Sequence, residues 1–173
     1  NMSKGSFKDF FQSAVIEAGF VQTEQCYKDH RFVLAMLAGI LSVWVMHGWV
    51  QPYSTGVSFS GLQLISLLIW QPFIEEVLFR GIIQGQLLKR QWGRSSWLGI
   101  SSANLITSVL FAAVHMIHNT PLFALSVLGP SLVFGYFRDY CKSVYPCIII
   151  HSAYNAMVFV GLMLEGKMHV LLT

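Results

Sequence analysis

Residues 74–80 read Ile-Glu-Glu-Val-Leu-Phe-Arg and lie inside a much longer apolar run. Two adjacent carboxylates and a guanidinium group are unexpected there, because an ionisable side chain deep in a bilayer costs about 2.5 kcal/mol or more. On a helix, Glu76 and Arg80 are four residues apart and share a face, so they can form an ion pair. Glu75 points about 100° away from Glu76 and has no partner at that spacing. The pattern therefore predicts one structural carboxylate and one that is free for chemistry.

The composition indicates the surroundings of this stretch. Of the 173 residues, 54% are hydrophobic and only 11% are charged, with a mean hydropathy of +0.57, whereas soluble domains carry about 25% charged residues. The sequence thus predicts an all-α fold, a polytopic membrane helix bundle in contact with the lipid bilayer. A net charge of +3 is too small to indicate a nucleic-acid partner.

The apolar segments divide the chain into an N-terminal segment, residues 1–31, and a membrane domain, residues 32–173. In the first segment, the apolar residues of Gly5–Phe20 fall on one helical stripe. This stripe predicts an amphipathic helix that lies on the membrane surface or caps the bundle. About five membrane spans are expected. In chain order they are Phe32–Val50, Phe59–Gln91, Trp97–His118, Pro121–Phe137 and Pro146–Leu164.

Prolines, glycines and cysteines suggest local features of these spans. Pro72 should bend the second span close to the glutamate pair, and Gly81 and Gly85 should permit close helix packing. Gly129-Pro130 should interrupt the fourth span. The three cysteines have no regular spacing, which predicts packing or loop thiols and not a disulfide framework. They are Cys26, Cys141 and Cys147.

Lysine and arginine alternate between successive connections. The N-terminal segment has four, the first loop none, the second three, the third none and the fourth two, and the C-terminal tail has one. Cytoplasmic connections carry the excess of these residues in membrane proteins. The N-terminus is therefore predicted to be cytoplasmic and the C-terminus outside.

Three of the predicted spans carry side chains four residues apart on one face. Polar groups inside spans face the bundle interior and need partners, so one shared site is expected. Carboxylates and imidazoles can deprotonate water, and imidazole and amide N–H groups can stabilise the oxyanion of a tetrahedral intermediate. The set therefore suits hydrolysis. It comprises Glu75, Glu76 and Arg80 on the second span, Phe111 and His115 on the third, and His151 and Asn155 on the fifth.

Three ordered motifs in the chain resemble those of the CPBP/Abi family, the CAAX prenyl protease type II-like or glutamic intramembrane proteases. The likeness implies that Glu75 and His115 activate water and that His151 and Asn155 form the oxyanion site. Glu76 and Arg80 would support them as an ion pair, with Phe111 beside them. The likeness also implies no cofactor and no metal. The motifs are Glu75-Glu76-x-x-x-Arg80, Phe111-x-x-x-His115 and His151-x-x-x-Asn155.

The chain looks more like the short bacterial members of that family than like the eukaryotic CAAX protease, which has more spans. Those short members are linked to bacteriocin maturation or immunity and to the trimming of C-terminal sorting tails. The likeness implies a multi-pass intramembrane endopeptidase of the bacterial cytoplasmic (inner) membrane. Its substrate would be a membrane-anchored protein or peptide.

Two alternative hypotheses about function involve the same residues. Glu75, Glu76, His115 and His151 could hold zinc with a water molecule, as in a metalloprotease, although the chain lacks an HExxH motif. A non-enzymatic transport or immunity protein could use the polar network as a proton relay or to join helices. Hydrolysis of a quenched membrane peptide separates these classes.

Overall fold

A computed structural model describes residues 4–49, 57–166 and 168–171, and the side chains of residues 7–41 and 58–166. Within these residues the chain forms seven helices, so the predicted all-α membrane helix bundle is confirmed. Two short strand pairs accompany the helices. The helices are α1 (Lys4–Glu17), α2 (Glu24–Lys28), α3 (His30–Trp49), α4 (Gly61–Leu87), α5 (Ser102–His115), α6 (Pro121–Cys141) and α7 (Tyr145–Leu164).

Three of the described helices, α4, α6 and α7, are long and apolar enough to cross a membrane. Two further helical segments, His30–Leu41 and Ser102–His115, are apolar but shorter. The predicted third span is shorter than expected because a small antiparallel pair, β2 (Ser96–Trp97) and β3 (Ile100–Ser101), precedes it. Val50, the predicted end of the first span, lies outside the described residues.

Another strand pair connects distant parts of the chain. The strands β1 (Val57–Ser60) and β4 (Met168–Leu171) pair in parallel, with Val57 opposite Met168. The hydropathy pattern did not predict either strand, because parallel partners this far apart in sequence are brought together only by the packing of the helices between them. The pair closes the bundle near the start of α4 and the end of α7.

Helix α4 is irregular on both sides of Pro72. Two stretches with π-helical hydrogen bonding, Ser66–Trp70 and Val77–Gln84, flank the α-helical segment Gln71–Glu76. A proline has no backbone N–H to donate and disturbs the preceding turn. The Gln71 N–H donates to the Ser66 carbonyl, five residues back, as expected for a π-turn. Such turns change the phase of the side chains that follow and are frequent at functional sites.

Helix α6 has its irregular point at Val127, between the segments Pro121–Ser126 and Leu128–Cys141. The predicted interruption at Gly129-Pro130 therefore lies slightly too late in the chain. Pro130 has no N–H for the carbonyl of Ser126, four residues earlier, so the break falls before the proline. Further along α6, Gly135 allows α5 to approach closely.

The glycines of α4 permit a close approach of the end of α1. A Cβ added at Gly81 would lie 2.9 Å from the carbonyl oxygen of Ala18, just after α1. Gly85 lies near the Glu17 carbonyl and the Arg138 side chain. These two glycines therefore accommodate the N-terminal segment. Lys89 adds an ion pair of 2.6 Å with the Glu17 carboxylate.

The cysteine prediction is wrong for two of the three residues. Cys26 and Cys141 form a disulfide, with their Cα atoms 5.9 Å apart. They are separated by 115 residues in sequence, so their proximity depends on how α2 packs against the end of α6. Cys147 is a buried free thiol, which agrees with a packing role.

Candidate active site

A cavity of about 230 Å³ lies between α4, α5, α6 and α7. Its polar lining comes from residues of α4, α5, α7 and the turn after α5, and Phe111 and Phe134 belong to its apolar lining. The cavity brings together four of the residues that the sequence singled out for chemistry. The polar lining residues are Gln71, Glu75, His115, Asn119, His151 and Asn155.

A buried polar cluster, here called the rear network, lies behind this cavity and consists of Glu76, Arg80 and Ser131. Each of these residues is fully buried. The Arg80 Nε donates to Glu76 Oε2 at 3.0 Å, and an Arg80 Nη atom donates to Ser131 Oγ at 2.7 Å. The predicted ion pair between Glu76 and Arg80 is thus present, and a hydrogen bond to Ser131 links it to α6.

Two aromatic rings lie close to the Arg80 guanidinium. Its Cζ atom lies 5.4 Å from the Phe111 ring centroid and 6.0 Å from that of Phe134. A cation over an aromatic face is attracted by the ring quadrupole, and more strongly when water is excluded. Phe111 therefore helps to accommodate a charge that has one unbonded nitrogen, Nη1.

His151 connects the rear network to the cavity. Its Nδ1 lies 2.9 Å from Glu76 Oε1, and its ring stacks on Phe134 with centroids 4.8 Å apart. Its Nε2 lies 3.9 Å from Glu75 Oε2. The two adjacent glutamates therefore flank one imidazole, Glu76 from the buried side and Glu75 from the cavity side.

Glu75 differs from Glu76 in its exposure and in its contacts. The Glu75 side chain is 31% exposed, whereas that of Glu76 is 0% exposed. Glu76 has two hydrogen-bonded partners, whereas the Glu75 carboxylate approaches His151 at 3.9 Å. This carboxylate can reach a molecule in the cavity.

Residues 57–157 match the family described as Type II CAAX prenyl endopeptidase Rce1-like. The chain belongs to this family. The match covers more than half of the chain and includes all three motifs, so the resemblance found in the sequence is confirmed. No curated protein and no solved structure matches the chain. Membership of the Rce1-like family implies a CAAX-type protease, and the apolar helices agree with a membrane protein.

The hydrogen bonds of the two cavity histidines indicate which ring nitrogen of each is the donor. His115 Nδ1 lies 2.9 Å from the Phe111 carbonyl oxygen, which can only accept. Nδ1 therefore carries a proton, and Nε2 of a neutral His115 is an acceptor. Likewise, an ionised Glu76 only accepts, so His151 donates from Nδ1. His151 can donate into the cavity from Nε2 only when both of its ring nitrogens are protonated.

Asn155 has a partner that the sequence did not predict. Its Nδ2 donates to the Leu67 carbonyl of α4 at 3.0 Å. One of its two amide hydrogens is therefore already used in a bond between helices, and one remains for another acceptor. His151 lies one turn earlier on the same face of α7, so this bond also fixes the part of α7 that faces the cavity.

Three residues of the site were missed by sequence reasoning. Gln71 lines the cavity one turn before Glu75. Its spacing of four residues from Glu75 could have predicted that both side chains lie on the same helix face. Asn119 lines it as well and donates to the His115 carbonyl at 3.0 Å. Ser131 carried no signal, because its bond to Arg80 spans 51 residues.

The described side chains include no group of three or more His, Cys, Asp or Glu placed to hold a metal ion. The metalloprotease hypothesis requires a zinc site at which Glu75, Glu76, His115 and His151 converge on one point. In the structure Glu76 is instead directed at Arg80 and His151 from the buried side.

Proposed function

We propose that this chain is an intramembrane endopeptidase that hydrolyses a peptide bond of a membrane-associated substrate, with water activated by Glu75 and His115. The main observation behind the proposal is that the two glutamates make different contacts. Glu76 is committed to Arg80 and His151, whereas Glu75 opens into a cavity that His115 also lines.

In the proposed reaction, a water molecule lies between the Glu75 carboxylate and Nε2 of His115. Its oxygen forms a bond to the carbonyl carbon of the substrate, its proton passes to Glu75, and the carbonyl π electrons move onto the carbonyl oxygen. When this oxygen re-forms the double bond, the C–N bond breaks. The leaving nitrogen takes the proton from Glu75, so no other reactant is needed.

His151 and Asn155 are the proposed donors to the oxyanion. The free amide hydrogen of Asn155 is available for this role, and Nε2 of His151 is available when the ring is an imidazolium. Glu76 lies against Nδ1 of that ring and supplies its counter-charge. Donors that are already oriented in a site with little water stabilise developing charge strongly, with about 100-fold or more in rate per donor.

We propose a substrate segment that reaches the cavity in an extended conformation, because a helix hides its carbonyl groups in its own hydrogen bonds. Candidates are the C-terminal tail of a membrane-anchored protein, including a prenylated one, and a bacteriocin-like peptide. The proposed location is the cytoplasmic (inner) membrane of a bacterium, with the N-terminus inside. Pro130 of α6 lines the cavity, so the irregular part of α6 is the proposed gate.

The test is hydrolysis of a quenched fluorescent membrane peptide by the purified protein in lipid. We expect turnover that is lost in Glu75→Gln and unchanged by a chelator. Activity that disappears on chelation and returns with zinc would replace this mechanism by the metalloprotease. A wild-type protein that binds such peptides without cleaving any of them would favour a non-enzymatic role.

A further inference from the structure

A carbonyl group of α4 lacks the N–H partners that a regular helix would supply. In an α-helix the Leu67 carbonyl would accept from the N–H of residue 71, and in a π-turn from that of residue 72. The Gln71 N–H donates to Ser66 instead, and Pro72 has no N–H. Both helical donors of the Leu67 carbonyl are therefore absent.

The side chain of Asn155 takes this place. Its Nδ2 donates to the Leu67 oxygen at 3.0 Å across the interface between α4 and α7. Unpaired backbone oxygens inside a membrane bundle are unfavourable, so the carbonyl attracts a donor from the neighbouring helix. Pro72 itself is fully buried.

We infer that Pro72 is a positioning residue of the site, because it leaves the Leu67 carbonyl free to hold the Asn155 amide in one orientation. With one amide hydrogen held on α4, the rotation of the carboxamide is restricted and the second hydrogen has a defined direction. This inference rests on the proposed function only for its effect on catalysis. The hydrogen bond and its dependence on Pro72 stand apart from any activity.

The dependence on Pro72 follows from what a replacement would add. Alanine at position 72 brings an N–H into the turn, five residues after Leu67. This group can bond to the Leu67 carbonyl within α4, as in an uninterrupted π-turn. The Asn155 amide would then compete with a backbone donor for this oxygen, without any change to its own side chain, and its carboxamide would be held less firmly.

The side-chain amide of Asn155 can be observed directly by NMR. The chain has only four asparagines, at positions 1, 104, 119 and 155, so selective ¹⁵N-asparagine labelling yields few signals, and Asn155→Ala assigns the relevant one. In the full-length protein in lipid, we expect one of the two Asn155 carboxamide hydrogens to exchange with solvent at least about tenfold more slowly than the other. Pro72→Ala should remove this difference.

Two controls accompany the spectrum. Pro121→Ala also removes a proline, but at the start of α6, where a helix needs no N–H from that residue, so the Asn155 signals should not change. Asn104, whose Nδ2 donates to the Leu132 carbonyl, reports in the same spectrum whether the bundle is intact. Pro72→Gly serves as a second replacement that carries an N–H.

Kinetics test whether the bond matters for catalysis. We expect Pro72→Ala to lower kcat by up to about 100-fold, the loss expected for an oxyanion donor, with KM nearly unchanged. In an Asn155→Ala background, Pro72→Ala should have no further effect on kcat. A merely structural proline would reduce kcat by the same factor in both backgrounds, and this result would overturn the inference.

The inference is also overturned if both Asn155 hydrogens of the wild-type protein exchange equally fast, or if Pro72→Ala leaves their difference intact. It fails as well if neither replacement at position 72 folds while Pro121→Ala does, since the proline would then be needed for the fold itself. If the wild-type protein cleaves no peptide, the proposed function fails, but the NMR result still decides the role of Pro72.

Discussion

The rear network and the cavity in front of it give two neighbouring glutamates different environments. On the rear side, Glu76 is fully buried and bonds to Arg80 and His151 at 3.0 and 2.9 Å. On the cavity face, Glu75 is partly exposed, and its contact with His151 is 3.9 Å long. The two residues are both glutamates and are adjacent in the sequence. The rotation of about 100° per helical residue turns one carboxylate into the packed bundle and the other into the cavity.

This difference predicts that charge removal on the two sides has different consequences. A paired and buried charge contributes mainly through its partners, because removal leaves the other charge without compensation. A carboxylate in a cavity contributes mainly to the chemistry. Substitutions on the two sides of the site test this contrast.

Glu75→Gln should abolish measurable turnover, a loss of roughly a thousandfold or more, because it keeps the size of the side chain but removes the base. Its thermal unfolding should resemble that of the wild type. Peptide cleavage and a melting curve on the same preparation measure both quantities. Glu17→Gln, at a surface ion pair with Lys89, is the matched control and should retain activity. Wild-type turnover in Glu75→Gln would refute the proposed base.

Glu76→Gln should destabilise the folded protein by roughly 3–5 kcal/mol, because Arg80 becomes an unpaired charge in the bundle. Yield, melting temperature and activity should all fall. The double variant Glu76→Gln/Arg80→Met should regain stability, because an apolar replacement of a buried pair is often neutral, but it should not regain activity. If Glu76→Gln is as stable as the wild type, the rear network is not structural.

If His151 and Asn155 are the oxyanion donors, His151→Ala and Asn155→Ala should each lower kcat by about 100-fold. Their effects on stability should be smaller than that of Glu76→Gln. Single-turnover kinetics separate the chemical step from substrate binding. A change in KM alone for both variants would assign these residues to substrate binding instead.

Cysteine labelling tests the proposed orientation. Cys26 and Cys141 lie at the end of the bundle that the charge pattern places in the cytoplasm, whereas disulfides are rare there. If the N-terminus is inside, the disulfide of the structure should form only after oxidation, and both cysteines should react with a permeant maleimide in intact cells. A pair that is already oxidised in intact cells would reverse the orientation.

Chelation is expected to have the smallest effect, with no change in cleavage rate, because water activation is assigned to Glu75 and His115. Activity before and after dialysis against a chelator, together with the metal content of the protein, measures this. Stoichiometric zinc whose removal abolishes cleavage and whose return restores it would contradict the assignment.

Sequence reasoning was most successful within single helices. The spacing of Glu76 and Arg80 predicted their ion pair, because residues four apart on a helix are neighbours whatever surrounds them. The same spacing placed His115 one turn from Phe111, where its ring bonds to the Phe111 carbonyl. The ordered motifs also identified the family, since their spacing is visible without a structure.

The contacts that could not be predicted join distant helices. The Arg80 bond to Ser131 spans 51 residues, and the Asn155 bond to Leu67 spans 88. The disulfide and the pairing of β1 with β4 belong to the same class. Each needs a particular relative position of two segments, which no local pattern contains.

The amino-acid sequence was enough to predict an apolar helix bundle with a few ionisable side chains at defined helical positions, because helix geometry and the cost of charge in lipid are local properties. Which of these side chains share a cavity and which are buried behind it depends on how the helices pack. Packing between α4, α5, α6 and α7 places Glu76 against His151, 75 residues away, and leaves Glu75 facing the cavity. That choice depends on the whole bundle, because a side chain is exposed or buried only through the helices that surround it.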